Sequence, residues 1–255
     1  PFVSTVERYL TDPTQGPRAS ISAFPATLLR TYAAPAPGGG TFVQTTDGPQ
    51  IELLGDVCDP AVARAQNGYL MDDSVRDTAA FFAAIHDQLD AIKVGVHDGV
   101  EVVLGYDWDG AILGGQRRHV AQVLTSTVAG GAYGGEGLGA MFEPICRVLL
   151  RAAYLGTLFA AAALGKDRVV LTLIGGGVFS NPVTAIWEGI QVALAEVEPI
   201  LRGDLDVIVN GRDLLTRLPR EAVLGPVRAR GGAARATVRC VGADAAGGLP
   251  GRASR

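Results

Sequence analysis

The apolar positions of this chain fall into short β-branched runs that alternate with stripes at helical spacing. The clearest run is Arg168-Val169-Val170-Leu171-Thr172-Leu173-Ile174, which predicts a central strand covered on both faces. Asn181-Pro182 follows with the residues of an N-cap and an N1 proline, and Ile186, Ile190 and Leu194 then line one face of a helix. Leu205-Asp206-Val207-Ile208-Val209 predicts a further strand. Upstream, Pro144 opens a long buried helix reaching Leu164, and Ser74 with Asp77 starts a shorter one that turns Phe81, Phe82, Ile85 and Leu89 inward. Residues 94–104 predict two strands hinged at the turn dipeptide Asp98-Gly99, and residues 120–124 another strand. Strands alternating with helices predict an α/β layered domain.

Between these elements the polar and glycine-rich stretches read as connections. Val6-Glu7-Arg8-Tyr9-Leu10 is a short amphipathic piece ended by Asp12-Pro13, and residues 21–32 form a helix or strand with Pro25 at a boundary. Asn67-Gly68-Tyr69-Leu70 makes a turn, and Tyr106-Asp107-Trp108-Asp109-Gly110 an exposed loop. Residues 129–139 hold six glycines and Tyr133, a loop able to fold over a ligand or simply to lie on the surface.

Two glycine turns stand out. In the first, Gly38-Gly39-Gly40 removes side chains where backbone N–H groups close on a phosphate or ribose, and Gln44, Asp47, Gln50 and Glu52 arrive soon after. Asp47 and Gln50 have the spacing of a capping box, which predicts a helix opening here and running through residues 51–54. For these two, capping and ligand contact both remain open. The second turn, Gly175-Gly176-Gly177-Val178-Phe179-Ser180-Asn181-Pro182, joins the apolar strand to a helix, where an anion binds. Together the turns read as halves of one nucleotide site.

Composition narrows the setting. With 255 residues and 48% hydrophobic content the chain builds a substantial core, and one domain over residues 1–215 is expected. The most apolar stretch, residues 148–164, is interrupted by Arg151, Tyr154 and Gly156, so no membrane association is expected. The N-terminal residues lack a secretory pattern, and Cys58, Cys146 and Cys240 lack disulfide or zinc spacing, which points to a reducing, cytoplasmic setting. From Thr216 onward eight Arg and two acids give +6, leaving −10 on the first 215 residues of a chain with net charge −4. So acidic a body excludes DNA binding through general electrostatics. The tail, residues 216–255, is rich in Arg, Ala and Gly and is expected to be disordered; a basic arm for an acidic partner is its functional alternative.

Gly38-Gly39-Gly40, followed after nine residues by Gln50-Ile51-Glu52, resembles the signature of poly(ADP-ribose) glycohydrolases, a triple glycine followed by Gln-Glu-Glu. Leu53-Leu54-Gly55-Asp56-Val57-Cys58-Asp59-Pro60 continues the likeness, and residues 175–182 are similar to that family's diphosphate loop, a Gly-Cys-Gly-x-Phe-Gly-Gly-Asp pattern. Over about residues 21–210 the chain also resembles MavL-type macrodomains, which remove ADP-ribose from arginine. The resemblance implies a macrodomain, three layers α/β/α around a mixed central sheet, with ADP-ribose or an ADP-ribosylated protein as partner and no cofactor. It places Glu52 on the catalytic glutamate and Gln50 on the family's Gln; Asp47, from its position in the chain alone, is the other candidate catalytic acid. Ligand contacts then fall on Gly38, Gly39, Gly40, Gln44, Gln50, Gly175, Gly176, Gly177, Val178, Phe179 and Asn181. The sequence departs from the pattern in having Ile51 where an acid precedes the glutamate and Asn181 near the acidic end of the second loop, which favours a mono-ADP-ribosyl arginine substrate over the polymer.

The chemistry follows from the residue types. Cleavage at the anomeric carbon of a ribose develops oxocarbenium character, which a carboxylate stabilises, or assists by moving a proton. Glu52 supplies that group, or else is an ordinary first-turn acid favoured by the helix dipole. Phe179 packs on ribose or fills the core beneath its loop; Asp107 and Asp109 hold a guanidinium or are solvated. His86, His97 and His119 lack metal-ligand spacing, and no serine elbow or Walker sequence is present. The same loops serve a non-catalytic reader of ADP-ribose. A nicotinamide dinucleotide enzyme is disfavoured, because neither turn has the G-x-G-x-x-G spacing.

Overall fold

The computed structural model of the chain describes residues 33–45, 48–65, 70–102, 118–134, 137–211, 217–218 and 236–241. Asp47, the elements expected over residues 6–10 and 21–32, the Asn67-Gly68-Tyr69 turn and the 106–110 loop lie outside them. The described strands form four ladders. β1 (Ala33–Pro35) and β2 (Thr41–Val43) make an antiparallel hairpin, and β3 (Leu70–Met71) pairs in parallel with β6 (Val128–Ala129). β4 (Gly95–Val102) and β5 (Arg118–Leu124) are antiparallel. β7 (Arg168–Thr172), β8 (Leu205–Asn210) and β9 (Ala236–Val241) form a parallel sheet in that order.

Among the described residues there are three α-helices, α1 (Thr78–Asp87), α2 (Phe142–Ala163) and α3 (Val183–Val197). The cap of α1 is Asp77 and not Ser74, which lies in a preceding 3-10 turn: the Asp77 carboxylate accepts from the Ala80 N–H at 2.9 Å, while Phe81 and Ile85 are fully buried as their spacing predicts. On α2, Ile145, Leu149, Leu150 and Leu158 are wholly buried and meet Ile186, Ile190 and Leu194 of α3 in the main core. By length and composition Gly139–Ala163 is apolar enough to cross a membrane, and in this fold it is a core helix. The inward residues of the parallel sheet, Val169 and Leu171 with Leu205, Val207 and Val209, belong to the same core. On the other face of β7, Val170 is 58% exposed, so among the described residues helices cover only one face of that strand. The arrangement is an α/β fold with both parallel and antiparallel pairing.

Several expectations are corrected. As far as Val102, the two strands expected over residues 94–104 are one: β4 runs through Asp98-Gly99, where the register slips so that these two residues oppose Ala121, and Gly99 takes φ 69°. That is a β-bulge, the alternative use of a glycine with positive φ. No helix opens at residues 50–54, because the two glutamine amides bond to the backbone instead. The tail is not disordered throughout, since residues 236–241 are β9, and Ala236, Val238 and Cys240 pack against the core.

Tyr154 of α2 fixes the end of β7. Its buried hydroxyl donates to the Thr172 carbonyl at 2.7 Å and accepts from the Ile174 N–H at 3.0 Å, and burial pushes its phenol well above the ordinary value. Tyr154→Phe leaves both backbone groups without that partner and is expected to cost about 1–3 kcal/mol. An unchanged urea midpoint would show the hydroxyl to be dispensable.

Candidate functional site

The first glycine turn closes the β1–β2 hairpin. Gly38, Gly39 and Gly40 have φ of 88°, 104° and 81°, where residues with a side chain are strained, so the chain reversal alone accounts for the triple glycine. All three are exposed, and a Cβ added at any of them meets nothing within 4 Å. Gln44 is buried, its side-chain oxygen accepting from the Ile51 N–H at 2.9 Å, and the Gln50 amide donates to the Thr45 carbonyl at 2.9 Å. The two amides thus brace the segment that carries Glu52.

Glu52 is exposed and does not begin a helix, so the helix dipole has no part in its environment. Its carboxylate accepts from the Leu54 N–H at 3.2 Å. Loss of solvation raises its pKa above 4.5, outweighing the Leu54 hydrogen bond and the charge of Arg64, which both pull it down. The same carboxylate helps to raise the Cys58 thiol, though less than burial does.

The second turn is built differently. Asn181 is not the cap of α3, a position taken by Pro182; it is 2% exposed, and its amide donates to Val128 O at 2.9 Å and to Gly175 O and Phe179 O at 3.4 Å. Its side-chain oxygen is buried with no partner among the described residues. Asn181 thereby ties the loop to β6. Within the loop the N–H groups of Gly176, Ser180 and Asn181 bond to Leu173, Gly177 and Gly175 carbonyls. Those of Gly177 and Val178 take no part in these bonds, and both residues are exposed. These two exposed residues stand at the carboxyl end of a parallel strand, the end at which α/β sheets bind their ligands.

Gly175 has φ 71°, and a Cβ there would stand 2.5 Å from the Asn181 amide nitrogen, whereas a Cβ on Gly177 meets nothing within 4 Å. Gly175→Ala is therefore expected to lower stability by about 1–3 kcal/mol and to disorder the loop, while Gly177→Ala leaves stability within about 0.5 kcal/mol. Equal unfolding midpoints for the two variants would contradict this account.

Two features of the site were not legible as such in the sequence. The glycine-rich segment after β6 packs on the second turn rather than lying loose: a Cβ on Gly131 would meet Val178 O at 2.4 Å, and one on Gly130 would meet Phe179 O at 3.0 Å. Tyr133 sets its ring edge-on to Phe179, with centroids 5.4 Å apart, and is 55% exposed. The far end of the segment is held by Asp72, which is 6% exposed and accepts from the Gly137 N–H at 3.1 Å and the Asp73 N–H at 2.8 Å. Its only local sequence signal is a pair of acids after a short strand, which any surface turn shares.

The fold thus gathers Gly175, Gly176, Gly177, Val178, Phe179 and Asn181 with Tyr133 at the carboxyl ends of β6 and β7. Gly38, Gly39, Gly40, Gln44, Gln50 and Glu52 sit on a different arm of the chain, anchored in the main core by Leu54, Val57 and Cys58 and bonded to the body through Leu53 O with Lys93 N and Val57 O with the Gln88 amide. No contact described above joins one turn to the other. The chain matches no protein-family model, no curated protein and no solved structure.

Proposed function

We propose that the chain is an ADP-ribosylhydrolase that cleaves the glycosidic bond between ADP-ribose and a protein side chain, with arginine-linked mono-ADP-ribose as substrate. The observation that carries this reading is the second glycine turn, whose exposed Gly177 and Val178 offer adjacent N–H groups beside the Tyr133–Phe179 pair. A diphosphate suits the N–H groups, and the aromatic pair suits a sugar or base next to it. In the proposed complex the arm carrying Gly38–Gly40 closes on the other side of the ligand, within a macrodomain of three layers. The Glu52 carboxylate faces the anomeric carbon and balances its developing positive charge as the bond to the guanidine breaks; it then takes a proton from the water that attacks that carbon, which its raised pKa favours, and the departing guanidine receives that proton.

One observation favours a second reading, a reader that binds ADP-ribose without turnover: the Glu52 carboxylate is already engaged by the Leu54 N–H and stands on a different arm from the second turn. Calorimetry with ADP-ribose, followed by incubation with arginine-, serine- and glutamate-linked ADP-ribosyl peptides and with the polymer, separates the cases. Release from the arginine peptide is the expected result. Binding without release from any substrate supports the reader, and absence of binding at millimolar ADP-ribose sinks both.

A further inference from the structure

Among the described residues Ser180 is the one residue other than glycine that takes a positive φ, at 54°. In that left-handed region a Cβ crowds the following carbonyl, so glycine, and less often asparagine or aspartate, is the residue that adopts it readily. The second turn needs this conformation. The Ser180 N–H bonds to Gly177 O at 3.0 Å and the Asn181 N–H to Gly175 O at 2.9 Å, and these two bonds close the loop ahead of Pro182, the cap of α3. A glycine at position 180 would complete the same loop without the strain. What the strained residue adds is its hydroxymethyl group, and a backbone outlier of this kind asks what that group does.

Packing within the chain does not answer the question. Ser180 is exposed, and its hydroxyl makes no hydrogen bond to another described residue. The facing residue is Gly131, on which a Cβ would stand 2.5 Å from the Ser180 Oγ and 3.1 Å from the Ser180 Cβ. Gly131 thus leaves room for the group without bonding to it. Ser180 adjoins Phe179, whose ring meets Tyr133, in the loop that follows β7, and the carboxyl ends of such strands are where α/β sheets take their ligands. A hydroxyl donates one hydrogen bond, and a donor bonded to an ionised acceptor makes one of the stronger kinds.

We propose that Ser180 is a ligand-contacting residue of the second turn, its hydroxyl donating a hydrogen bond to an oxygen of the ligand's diphosphate. The ligand's identity rests on the function proposed above.

Calorimetry with ADP-ribose and with ADP, on the whole chain and on two variants, tests this. Ser180→Gly removes the hydroxyl and the strain together, and it is expected to weaken both ligands about tenfold, the scale of one hydrogen bond to a charged group. Its urea midpoint is expected to be no lower than that of the parent, because relief of the left-handed strain offsets the added freedom of the unfolded chain. Ser180→Ala keeps the Cβ and loses only the hydroxyl, so it should bind both ligands as weakly as Ser180→Gly. Parent-like affinity in either variant overturns the proposal. A Ser180→Gly protein that is destabilised as well as weakened also overturns it, by showing the side chain to be a contact within the fold. So does a loss confined to ADP-ribose with ADP unaffected, since the hydroxyl then meets the sugar beyond the diphosphate. The two readings fail separately: a parent chain that binds neither ligand ends the proposed function, whereas a parent that binds and variants that match it end only the role of Ser180.

Discussion

A chain ending at Leu215 is expected to lose about 3–6 kcal/mol of stability, because it lacks β9 and the half-buried Ala236, Val238 and Cys240 side chains. Removing these residues also strips Asp206 of Arg239, which donates to it at 2.7 and 3.0 Å; those charges are exposed, so the larger part of the loss comes from the strand and its apolar face. Against a total stability of about 5–15 kcal/mol, that is enough to leave a sizeable unfolded fraction. Val238→Asp, which places a charge among these contacts, is expected to lower the urea midpoint in the same direction. If both proteins unfold at the midpoint of the full chain, β9 contributes nothing and the domain ends near residue 215 after all.

That strand also shows what the sequence conveys and what it conceals. Ala236-Thr237-Val238-Arg239-Cys240-Val241 alternates small or apolar with polar positions until its last residue, and in the sheet Ala236, Val238 and Cys240 are half-buried while Thr237 and Arg239 are exposed. The alternation is lost to view when the whole Arg-, Ala- and Gly-rich tail is averaged, and composition then argues for disorder. By contrast β7, α2, α3 and β8 were legible because each is long or apolar enough for its periodicity to dominate its surroundings. Asn181 and Gly99 mark the limit of local reading. Asn-Pro suits a helix cap as well as a buried amide that reaches Val128, 53 residues earlier in the chain, and Asp-Gly suits a hairpin turn as well as a bulge. In each case the deciding partner is distant in sequence. The candidate site divides in the same way: the second turn is where its pattern placed it, whereas its support from Asp72, Gly137 and the 130–134 segment arises only from folding.

Glu52→Gln is expected to leave ADP-ribose affinity within a few-fold and to lower turnover of an arginine-linked substrate about a hundredfold or more, equivalent to about 2.7 kcal/mol of transition-state stabilisation. The amide keeps the shape of the side chain and an oxygen to accept from the Leu54 N–H, so binding persists while the negative charge and the proton acceptor are lost. The pH profile supplies a second reading. Glu52 acts in its ionised form in this mechanism, and its pKa is raised, so kcat/KM should fall as pH drops through a value above 4.5 and hold level above it. That acid limb should disappear in Glu52→Gln. Arg64 pulls the Glu52 pKa down, so Arg64→Ala should move the limb to higher pH rather than remove it. A profile unaffected by Arg64→Ala would separate the titrating group from Glu52. Asp47→Asn is the remaining control: a large loss of turnover there, with none in Glu52→Gln, would transfer the catalytic carboxylate to Asp47. If neither change alters turnover while both proteins still bind ADP-ribose, the carboxylate chemistry lies elsewhere or is absent, and the reader becomes the better description of the molecule.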